Sequence, residues 1–455
     1  MRWIRGIVTV LLAALLIGAA ALFLWLWASP PSLLKVGSGY AAKIVCSNVF
    51  LAGRDPDQVL ALDVQAPGNP LLRLMRVSVD REAKRVHAAL LGSFAPNDAV
   101  YRDGMGCTTA PDGVETVAAM QSPVPQGMKD AASSESLSWP EGEKVDLRAD
   151  LTQIVSDPAL AGPGMRAIVV VKDGRIIAET YGDGFSRESP LVGWSMTKTV
   201  TATLIGRLVQ DGRMQLDAAE LAPTWAGDRR REITLRQMLA MESGLAFNED
   251  YGALADVTRM LYLTSDMAEF VASRQLENDP GTRFHYSSGD GVLMSRIWME
   301  KAGGGEAALG YPRTALFSQL GMTSAVLEAD AVGIFVGSSY MYATARDWAR
   351  LGLFLAQDGM WNGNRLLPEG FVQLMGTPSA HSNGRYSQMQ TWLPKAGDNS
   401  VAPDTFYMRG HDGQTIAVMP SRNLVIVRMG LTPSSLRYDP GLLFGAVAKA
   451  TGVTP

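Results

Sequence analysis

"GWSMTKTV", residues 193–200, places a serine and a lysine three residues apart at the predicted start of a helix. Apolar residues recur at every third or fourth position over residues 196–210, as on the buried face of a helix, and Asp211-Gly212 ends the pattern. Ser195 and Lys198 share one face of such a helix, so the lysine amine can reach the serine hydroxyl. This spacing fits a nucleophile with its base, and it fits equally an N-cap serine beside a solvated lysine.

Burial of the lysine would favour the first interpretation. Burial lowers the pKa of a lysine, and the neutral amine can then take the proton of a serine hydroxyl. The residues around Lys198 carry few charges, which permits burial. A second Ser-x-x-Lys match, at Ser32 and Lys35, directly follows two prolines at the end of an apolar run, where no pocket is expected. No G-x-S-x-G elbow surrounds a serine, and neither His87 nor His381 stands in a context that suits a triad.

Composition points to a globular protein that acts on small molecules. Of the 455 residues, 47% are hydrophobic and 19% are charged, which is typical of chains with large packed cores. The net charge of −4, with no cluster of basic and aromatic residues, argues against nucleic acid as a partner. Two cysteines and four histidines show no zinc-ligand spacing, so the sequence predicts neither a metal site nor a cofactor.

The first thirty residues predict a membrane anchor. Arg2 and Arg5 precede an uncharged run over residues 6–29, which is long enough for the about 20 apolar residues that span a bilayer. The alternative is a cleaved signal peptide with a poor cleavage site at Ala28 and Ser29, although the apolar part of such peptides usually has only about 7–15 residues. Because both arginines come first, we expect the rest of the chain to lie outside the cytoplasm, on the periplasmic side in a bacterium.

The two cysteines, Cys46 and Cys107, both fall in the part of the chain that we expect outside the cytoplasm. An oxidising compartment favours a disulfide between them, and the alternative is two unrelated buried thiols. Closing a loop of this length would stabilise the fold by about 4 kcal/mol in the chain-entropy model.

The chain divides into four predicted segments: the anchor over residues 1–30, a small N-terminal domain over 31–107, a linker over 108–144 and a large domain over 145–455. Alternating residues on both sides of 80–84 predict a β-hairpin in the small domain. The linker is rich in proline, serine, glycine and alanine.

The large domain begins and ends with predicted strands. Two apolar runs joined at Asp173-Gly174 predict a hairpin, and "TIAVMPSRNLVIVRMG", residues 415–430, predicts two further strands. Helical patterns occur between them, in "TLRQMLAM", "GVLMSRIWMEKA" and "ARDWARLGLFLAQ". The sequence therefore predicts an antiparallel sheet of distant segments that is covered by helices, in an α+β fold.

Three motifs in order carry a family resemblance. "SMTK" is followed by "PGTRFHYSSGD", residues 280–290, and by "RGHDGQ", residues 409–414. This set resembles that of the penicillin-recognising serine hydrolases, which include β-lactamases, DD-peptidases, related esterases and 6-aminohexanoate-dimer hydrolase. The resemblance covers about residues 145–453 and implies a β-lactamase-like fold, an antiparallel sheet flanked by helices with a helical subdomain.

The resemblance also implies roles for single residues. Ser195 would be the acylated nucleophile, Lys198 its proton acceptor and Tyr286 the phenol that relays a proton to the leaving group. The backbone N–H groups of Ser195 and Gln414 would form the oxyanion hole. Trp194, next to the nucleophile, either walls the pocket or packs in the core.

Two positions depart from the penicillin-recognising pattern. His411-Asp412-Gly413 stands where Lys-Thr-Gly is frequent, and Ser288 stands where lactamase-like members usually have asparagine. The first departure resembles the esterase and 6-aminohexanoate-dimer hydrolase branch, with His411 and Gly413 as substrate-binding residues. Together the two departures argue against β-lactam turnover more than against acyl transfer. For His411 the alternative is a hydrogen-bonded structural histidine.

The resulting hypothesis is an exported serine hydrolase that cleaves an amide or ester of a small or peptide-like substrate through an acyl-enzyme. The alternative is a penicillin-binding-type sensor or DD-peptidase-like module that acylates but turns over slowly. Beyond the substrate, the expected partner is the membrane, through the N-terminal helix. The natural substrate, the role of the N-terminal domain and the oligomeric state stay open.

Overall fold

The computed structural model describes residues 2–66, 69–117, 119–120, 122–123 and 136–452. Residues 118, 121 and 124–135 of the predicted linker over 108–144 lie outside this part of the chain, as do residues 67–68 and 453–455 of the two predicted domains.

The helices and strands follow one another in a mixed α+β order. The described α-helices are α1 (Arg2–Ala28), α2 (Ser32–Phe50), α3 (Pro56–Val59), α4 (Ala149–Ser156), α5 (Pro158–Ala161), α6 (Thr197–Gln210), α7 (Leu235–Leu239), α8 (Asp256–Leu263), α9 (Met267–Ala272), α10 (Ser288–Lys301), α11 (Gly305–Pro312), α12 (Ala345–Ala356), α13 (Phe371–Met375) and α14 (Gly441–Ala450). The described strands are β1 (Met75–Asp80), β2 (Arg85–Leu90), β3 (Phe94–Arg102), β4 (Gly106–Thr109), β5 (Met165–Lys172), β6 (Arg175–Tyr181), β7 (Leu191–Val192), β8 (Val326–Leu327), β9 (Met341–Ala343), β10 (Met360–Trp361), β11 (Asn364–Arg365), β12 (Phe406–Arg409), β13 (Thr415–Met419) and β14 (Leu424–Gly430).

The central sheet has the strand order β12-β13-β14-β5-β6 and is antiparallel throughout. Both predicted hairpins are confirmed, and β14 joins them by pairing with β5, so that the two ends of the domain meet in one sheet. Asp173 and Gly174 have φ angles of 51° and 78°, the left-handed backbone that a tight hairpin turn requires.

Helices cover both faces of this sheet because its strands are apolar on both faces. Val169, Val171 and Val427 belong to the core that also contains α12, whereas Ile168 and Ile426 pack with α4 and α14 on the other face. The alternation follows from the two-residue period of a strand. The predicted α+β architecture is confirmed. Helices α6–α10 contribute to the same hydrophobic core as α12.

Helix α1 is the one described helix that is long and apolar enough to cross a membrane. Its side chains are mostly exposed, and Phe23 contacts Phe94 of the N-terminal sheet with ring centroids 5.0 Å apart.

The N-terminal segment forms a four-stranded antiparallel sheet, β1-β2-β3-β4, with α2 packed across it. The predicted hairpin is confirmed, with Asp80 paired to Arg85 at its turn. The predicted disulfide is also present and joins Cys46 of α2 to Cys107 of β4.

This segment shares one hydrophobic core with the large domain. Asn97 of β3 donates to the carbonyl of Tyr262 at 3.2 Å, and Arg166 of β5 pairs with Asp63 at 2.7 Å. Lys43 of α2 forms a buried ion pair with Glu328, which also accepts hydrogen bonds from Ser47 and from the backbone N–H of Cys107. The segments on either side of the predicted linker therefore pack as one body.

The buried ion pair gives a stability prediction. Glu328 is fully buried, so the variant Lys43→Met leaves its carboxylate without a countercharge. We expect the free energy of unfolding to fall by about 3–5 kcal/mol, measured by denaturant unfolding. The double variant Lys43→Met/Glu328→Gln removes both charges and recovers part of this loss. Equal stability of the wild type and Lys43→Met would show that the Lys43–Glu328 ion pair does not stabilise the fold.

Candidate active site

The nucleophile candidate lies at the junction of a short strand and a buried helix. After β7 the chain makes a 3₁₀ turn over Trp194–Met196 and continues as α6, which confirms the predicted helix. Trp194 has φ 48°, a left-handed backbone that costs a non-glycine residue about 1–3 kcal/mol. Its indole is buried and lies with ring centroids 5.7 Å from both Tyr340 and His411. This packing holds the strained turn that presents Ser195.

A close backbone contact brings the third motif to this turn. A Cβ atom on Gly410 would stand 2.1 Å from the carbonyl oxygen of Gly193, far inside contact distance. Gly410 follows β12, so only a glycine allows the segment 409–414 to lie against the nucleophile turn. The N–H of Gly410 donates to the carbonyl of Gln414 at 2.8 Å, so Gln414 lies close to this contact.

The Gly410→Ala variant tests this approach. The obstructing atom is backbone and cannot swing aside, so the segment must shift. A displacement of about 1 Å in such a site can lower kcat/KM by about 10²-fold, which steady-state kinetics would detect. Gly227→Ala is the matched control, because a Cβ there meets nothing within 4 Å. Wild-type kinetics in Gly410→Ala would show that the close contact is irrelevant to activity.

Lys198 is buried beneath Ser195 and is only 1% exposed. Its Nζ lies 3.1 Å from Ser195 Oγ, 3.0 Å from Ser288 Oγ and 3.0 Å from the carbonyl oxygen of Ser338. Burial lowers the pKa of Lys198 from 10.5 to about 8, although the negative charges of Glu249 and Asp290 oppose the shift. A substantial neutral fraction therefore exists at mildly alkaline pH.

Tyr286 completes the group around the serine. Its ring centroid lies 4.8 Å from Lys198 Nζ, and its hydroxyl hydrogen-bonds with Ser195. Burial raises the pKa of the Tyr286 phenol above its ordinary value, the Glu249 carboxylate adds to the rise, and the hydrogen bond with Ser195 opposes it. A raised pKa keeps the phenol neutral, and a neutral phenol can donate a proton, as the predicted relay requires.

Two residues that the sequence did not single out join this site. Glu249 accepts hydrogen bonds from the backbone N–H and the hydroxyl of Ser288, which in turn contacts Lys198. The hydroxyl of Tyr251 lies 3.3 Å from Ser288 Oγ. Both come from residues 246–255, a loop without a recognisable motif, so no sequence signal could have found them.

His411 is half exposed beside the serine and is packed between aromatic rings. Its ring stacks on Tyr251 at 5.6 Å, with an angle of 20°, and meets Trp194 edge-on. Its Nε2 lies 3.4 Å from Asp412 Oδ1. Trp194, Tyr251 and His411 thus form one aromatic cluster, in which Trp194 is buried and His411 is the most exposed ring.

Hydrogen bonds to β14 hold the turn after His411 in place. The side chain of Gln414 is bound to both the N–H and the carbonyl of Gly430, so it faces β14. Gly413 has φ 82°, and its carbonyl accepts a hydrogen bond of 3.1 Å from Arg428, a fully buried arginine that also binds the carbonyls of Ala161 and Pro163. The third motif therefore contributes mainly backbone groups and the His411 ring to the candidate active site.

Comparison with known proteins finds relatives that are similar in sequence and in fold. A curated relative, a 6-aminohexanoate-dimer hydrolase from Paenarthrobacter ureafaciens, is 25% identical over 307 residues, which cover 61% of this chain and 76% of the relative. A penicillin-binding protein homolog from Caulobacter crescentus has a similar fold, with a TM-score of 0.54 and 16% identity over 67% of this chain and 97% of that one. A penicillin-binding protein from Bacillus halodurans gives a TM-score of 0.51 and 19% identity over 66% of this chain and 99% of that one.

The family model decides the assignment, because it rests on the sequence rather than on the shape. The model of the Beta-lactamase family matches residues 157–440, which are more than half of the chain and contain all three motifs. With a β-lactamase-like sheet and helices around a Ser-x-x-Lys pair, the chain belongs to the Beta-lactamase family of hydrolases.

Proposed function

We propose that this protein is an exported serine hydrolase that cleaves an amide or ester bond through an acyl-enzyme at Ser195. The observation that carries the proposal is the 3.1 Å contact between Ser195 Oγ and the buried amine of Lys198. With its pKa lowered to about 8, this amine is a base that the serine hydroxyl can reach directly.

Acylation begins when Ser195 Oγ attacks the substrate carbonyl carbon and its proton passes to Lys198 Nζ. The carbonyl oxygen becomes an oxyanion that faces the backbone N–H groups of Ser195 and Gln414. Tyr286 then gives its proton to the leaving nitrogen or oxygen as the bond to the carbonyl carbon breaks. The Lys198 ammonium returns a proton to the phenolate, which restores both groups.

Deacylation repeats these steps with water. The neutral amine of Lys198 takes a proton from the water that adds to the acyl carbonyl. The second tetrahedral intermediate collapses, and Ser195 Oγ leaves and recovers the proton. The product is a carboxylic acid, and no metal or cofactor enters the scheme.

Linear amides and esters are the substrates that we propose, in preference to β-lactams. The third motif offers the His411 ring where a lysine is frequent in penicillin-recognising enzymes, and Ser288 replaces the usual asparagine. The similar protein from Paenarthrobacter ureafaciens is named for hydrolysis of a 6-aminohexanoate dimer, a linear amide. The half-exposed His411 ring, which packs on Tyr251 and Trp194, suits an apolar chain next to the scissile bond.

An extracytoplasmic location with a retained anchor is part of the proposal. Helix α1 is long enough to cross a membrane, and the Cys46–Cys107 disulfide fits an oxidising compartment. Phe94 is buried beneath Phe23, so removal of α1 would expose an apolar ring of the folded sheet. This packing favours retention over cleavage.

Turnover separates a hydrolase from a sensor. Intact-mass spectrometry would follow the full-length protein over time with a p-nitrophenyl ester, a linear 6-aminohexanoate amide and benzylpenicillin. We expect an acyl adduct that forms and clears with the ester or the amide. A stable adduct that never clears with any of the three would favour the sensor and overturn the proposed turnover.

The Tyr286→Phe variant tests the proton donor. An amide needs a protonated leaving nitrogen, whereas p-nitrophenolate leaves without a proton. We therefore expect hydrolysis of the amide to slow by about 10²–10⁴-fold, and hydrolysis of the p-nitrophenyl ester to slow much less. Tyr407→Phe is the control, since Tyr407 packs on Phe444 at the other face of the sheet. Equal losses with both substrates would contradict the donor role.

A further inference from the structure

Helix α1 contacts the folded molecule inside its apolar run and not beyond it. Phe23, whose ring meets Phe94 of β3, lies five residues before the end of α1. At 1.5 Å per residue this is about 7–8 Å along the helix axis. If α1 crosses a bilayer, Phe94 therefore stands at the depth where acyl chains meet lipid headgroups.

Four exposed leucines lie on segments of the N-terminal region that lead to this contact. Leu33, Leu71, Leu74 and Leu91 are 40%, 42%, 40% and 56% exposed, and we name them the leucine rim. The segments that carry them are joined: the N–H of Leu91 donates to the carbonyl of Leu74 at 2.8 Å. Ser38 of α2 donates to the carbonyl of Ala95, the residue after Phe94, at 2.6 Å. The rim and Phe94 therefore belong to one end of the N-terminal sheet.

The charges at this end suit a lipid surface. Arg73 and Arg76 lie among the leucines, and Arg76 is held there by hydrogen bonds of 3.2 Å and 2.9 Å to the carbonyls of Arg73 and Met75. The acidic residues of the hairpin, Asp80 and Glu82, lie at its turn. At 3.3 Å per residue, the length of β1 places this turn about 17 Å from Met75, at the other end of the strand. Arginine beside exposed leucine is the composition that binds phosphate headgroups and the acyl boundary together.

The connection between α1 and the sheet is also short. Residues 29–31, of which two are proline, are all that separates α1 from α2. Proline-rich connections are stiff. The folded part of the molecule therefore cannot move far from the membrane surface on this link.

We propose that the leucine rim rests on the lipid bilayer that holds α1. The leucines lie at the boundary of headgroups and acyl chains, and Arg73 and Arg76 lie against lipid phosphates. The proposal rests on the retention of α1. Because the N-terminal sheet shares its core with the large domain, this contact fixes the orientation of the active site relative to the membrane.

Nitroxide labels on the full-length protein in phosphatidylcholine–phosphatidylglycerol vesicles test this contact. Cys46 and Cys107 are joined in a disulfide, so a single introduced cysteine takes the label. Leu91→Cys reports on the rim, Glu82→Cys on the far turn and Leu24→Cys on the anchor. We expect the labels at positions 91 and 24 to lose collisions with an aqueous nickel chelate and to gain collisions with oxygen, while the label at 82 stays accessible to nickel.

The outcomes distinguish the contact of the leucine rim with lipid from the insertion of α1 as an anchor. A label at position 91 as accessible to nickel as that at 82, with position 24 in lipid, overturns the rim contact and leaves the anchor intact. A label at position 24 in water overturns the anchor, and the rim contact falls with it. Ester hydrolysis by the same labelled proteins reports separately on the proposed chemistry.

Discussion

We expect the Ser195→Ala variant to lose hydrolysis of p-nitrophenyl esters almost completely. Without Oγ no acyl-enzyme forms, and loss of the nucleophile in a serine hydrolase lowers kcat on the order of 10⁴–10⁶-fold. The proposed oxyanion hole consists of backbone N–H groups that this substitution keeps, so a small residual rate above the uncatalysed reaction is expected. Steady-state kinetics with the wild type and the variant at equal concentration measures the loss.

The second Ser-x-x-Lys match supplies the control for this experiment. Ser32 is exposed at the start of α2, and Ser32→Ala should hydrolyse the ester at the wild-type rate. Thermal unfolding of both variants checks that the fold is kept. Retention of most of the activity in Ser195→Ala, with the fold intact, would place the nucleophile elsewhere.

The Lys198→Met variant should slow acylation by about 10²–10⁴-fold, the usual contribution of a general base. Methionine fills a similar volume in the buried site but cannot take a proton. The expected pH dependence follows from the same residue. In the proposed mechanism the base is the neutral amine, and burial lowers the pKa of Lys198 to about 8, so we expect acylation by the wild type to rise with pH and to level off above about pH 8.

Pre-steady-state bursts across pH 6–10 would measure both effects. In Lys198→Met the rise near pH 8 should vanish together with most of the rate. Lys35→Met, at the other Ser-x-x-Lys match, is the matched control and should keep the wild-type profile. A rise near pH 8 that persists in Lys198→Met would assign the titration to another group.

Local patterns were sufficient to predict the main elements of the large domain. The Asp173-Gly174 turn and the strands over 415–430 are encoded by neighbouring residues, and the helix after Ser195 by its apolar period. Strands at both ends of the domain also predicted an antiparallel sheet of distant segments, and the pairing of β14 with β5 forms that sheet. The three motifs likewise predicted which side chains meet, and Ser195, Lys198 and Tyr286 do lie together.

Contacts between distant segments were not predictable. Glu249 and Tyr251 reach Ser288 only because the loop over 246–255 is folded back, with Asn248 N–H bound to the Asp256 carboxylate. The sequence shows Arg428 only as a residue within an apolar strand, yet the arginine is buried, and its guanidinium binds carbonyls of two separate segments, at Ala161 and Pro163 and at Gly413.

The raised pKa of the Tyr286 phenol and the packing of the N-terminal segment could not be predicted from the sequence, for a related reason. Burial and the Glu249 carboxylate raise the pKa of the Tyr286 phenol, and neither has a signal in the residues next to Tyr286. Composition likewise separated a small N-terminal domain from a larger one and could not show that Lys43 and Glu328 pair in a shared core. Burial is a property of the whole fold and has no local signal.

The most direct test of the central claim is to locate the covalent adduct. The full-length protein would be treated with a fluorophosphonate, digested and analysed by tandem mass spectrometry, beside Ser195→Ala. Our account predicts one phosphonylated residue, Ser195, and an unmodified variant. A phosphonate on another serine in the wild type, or equal labelling of Ser195→Ala, would contradict the account.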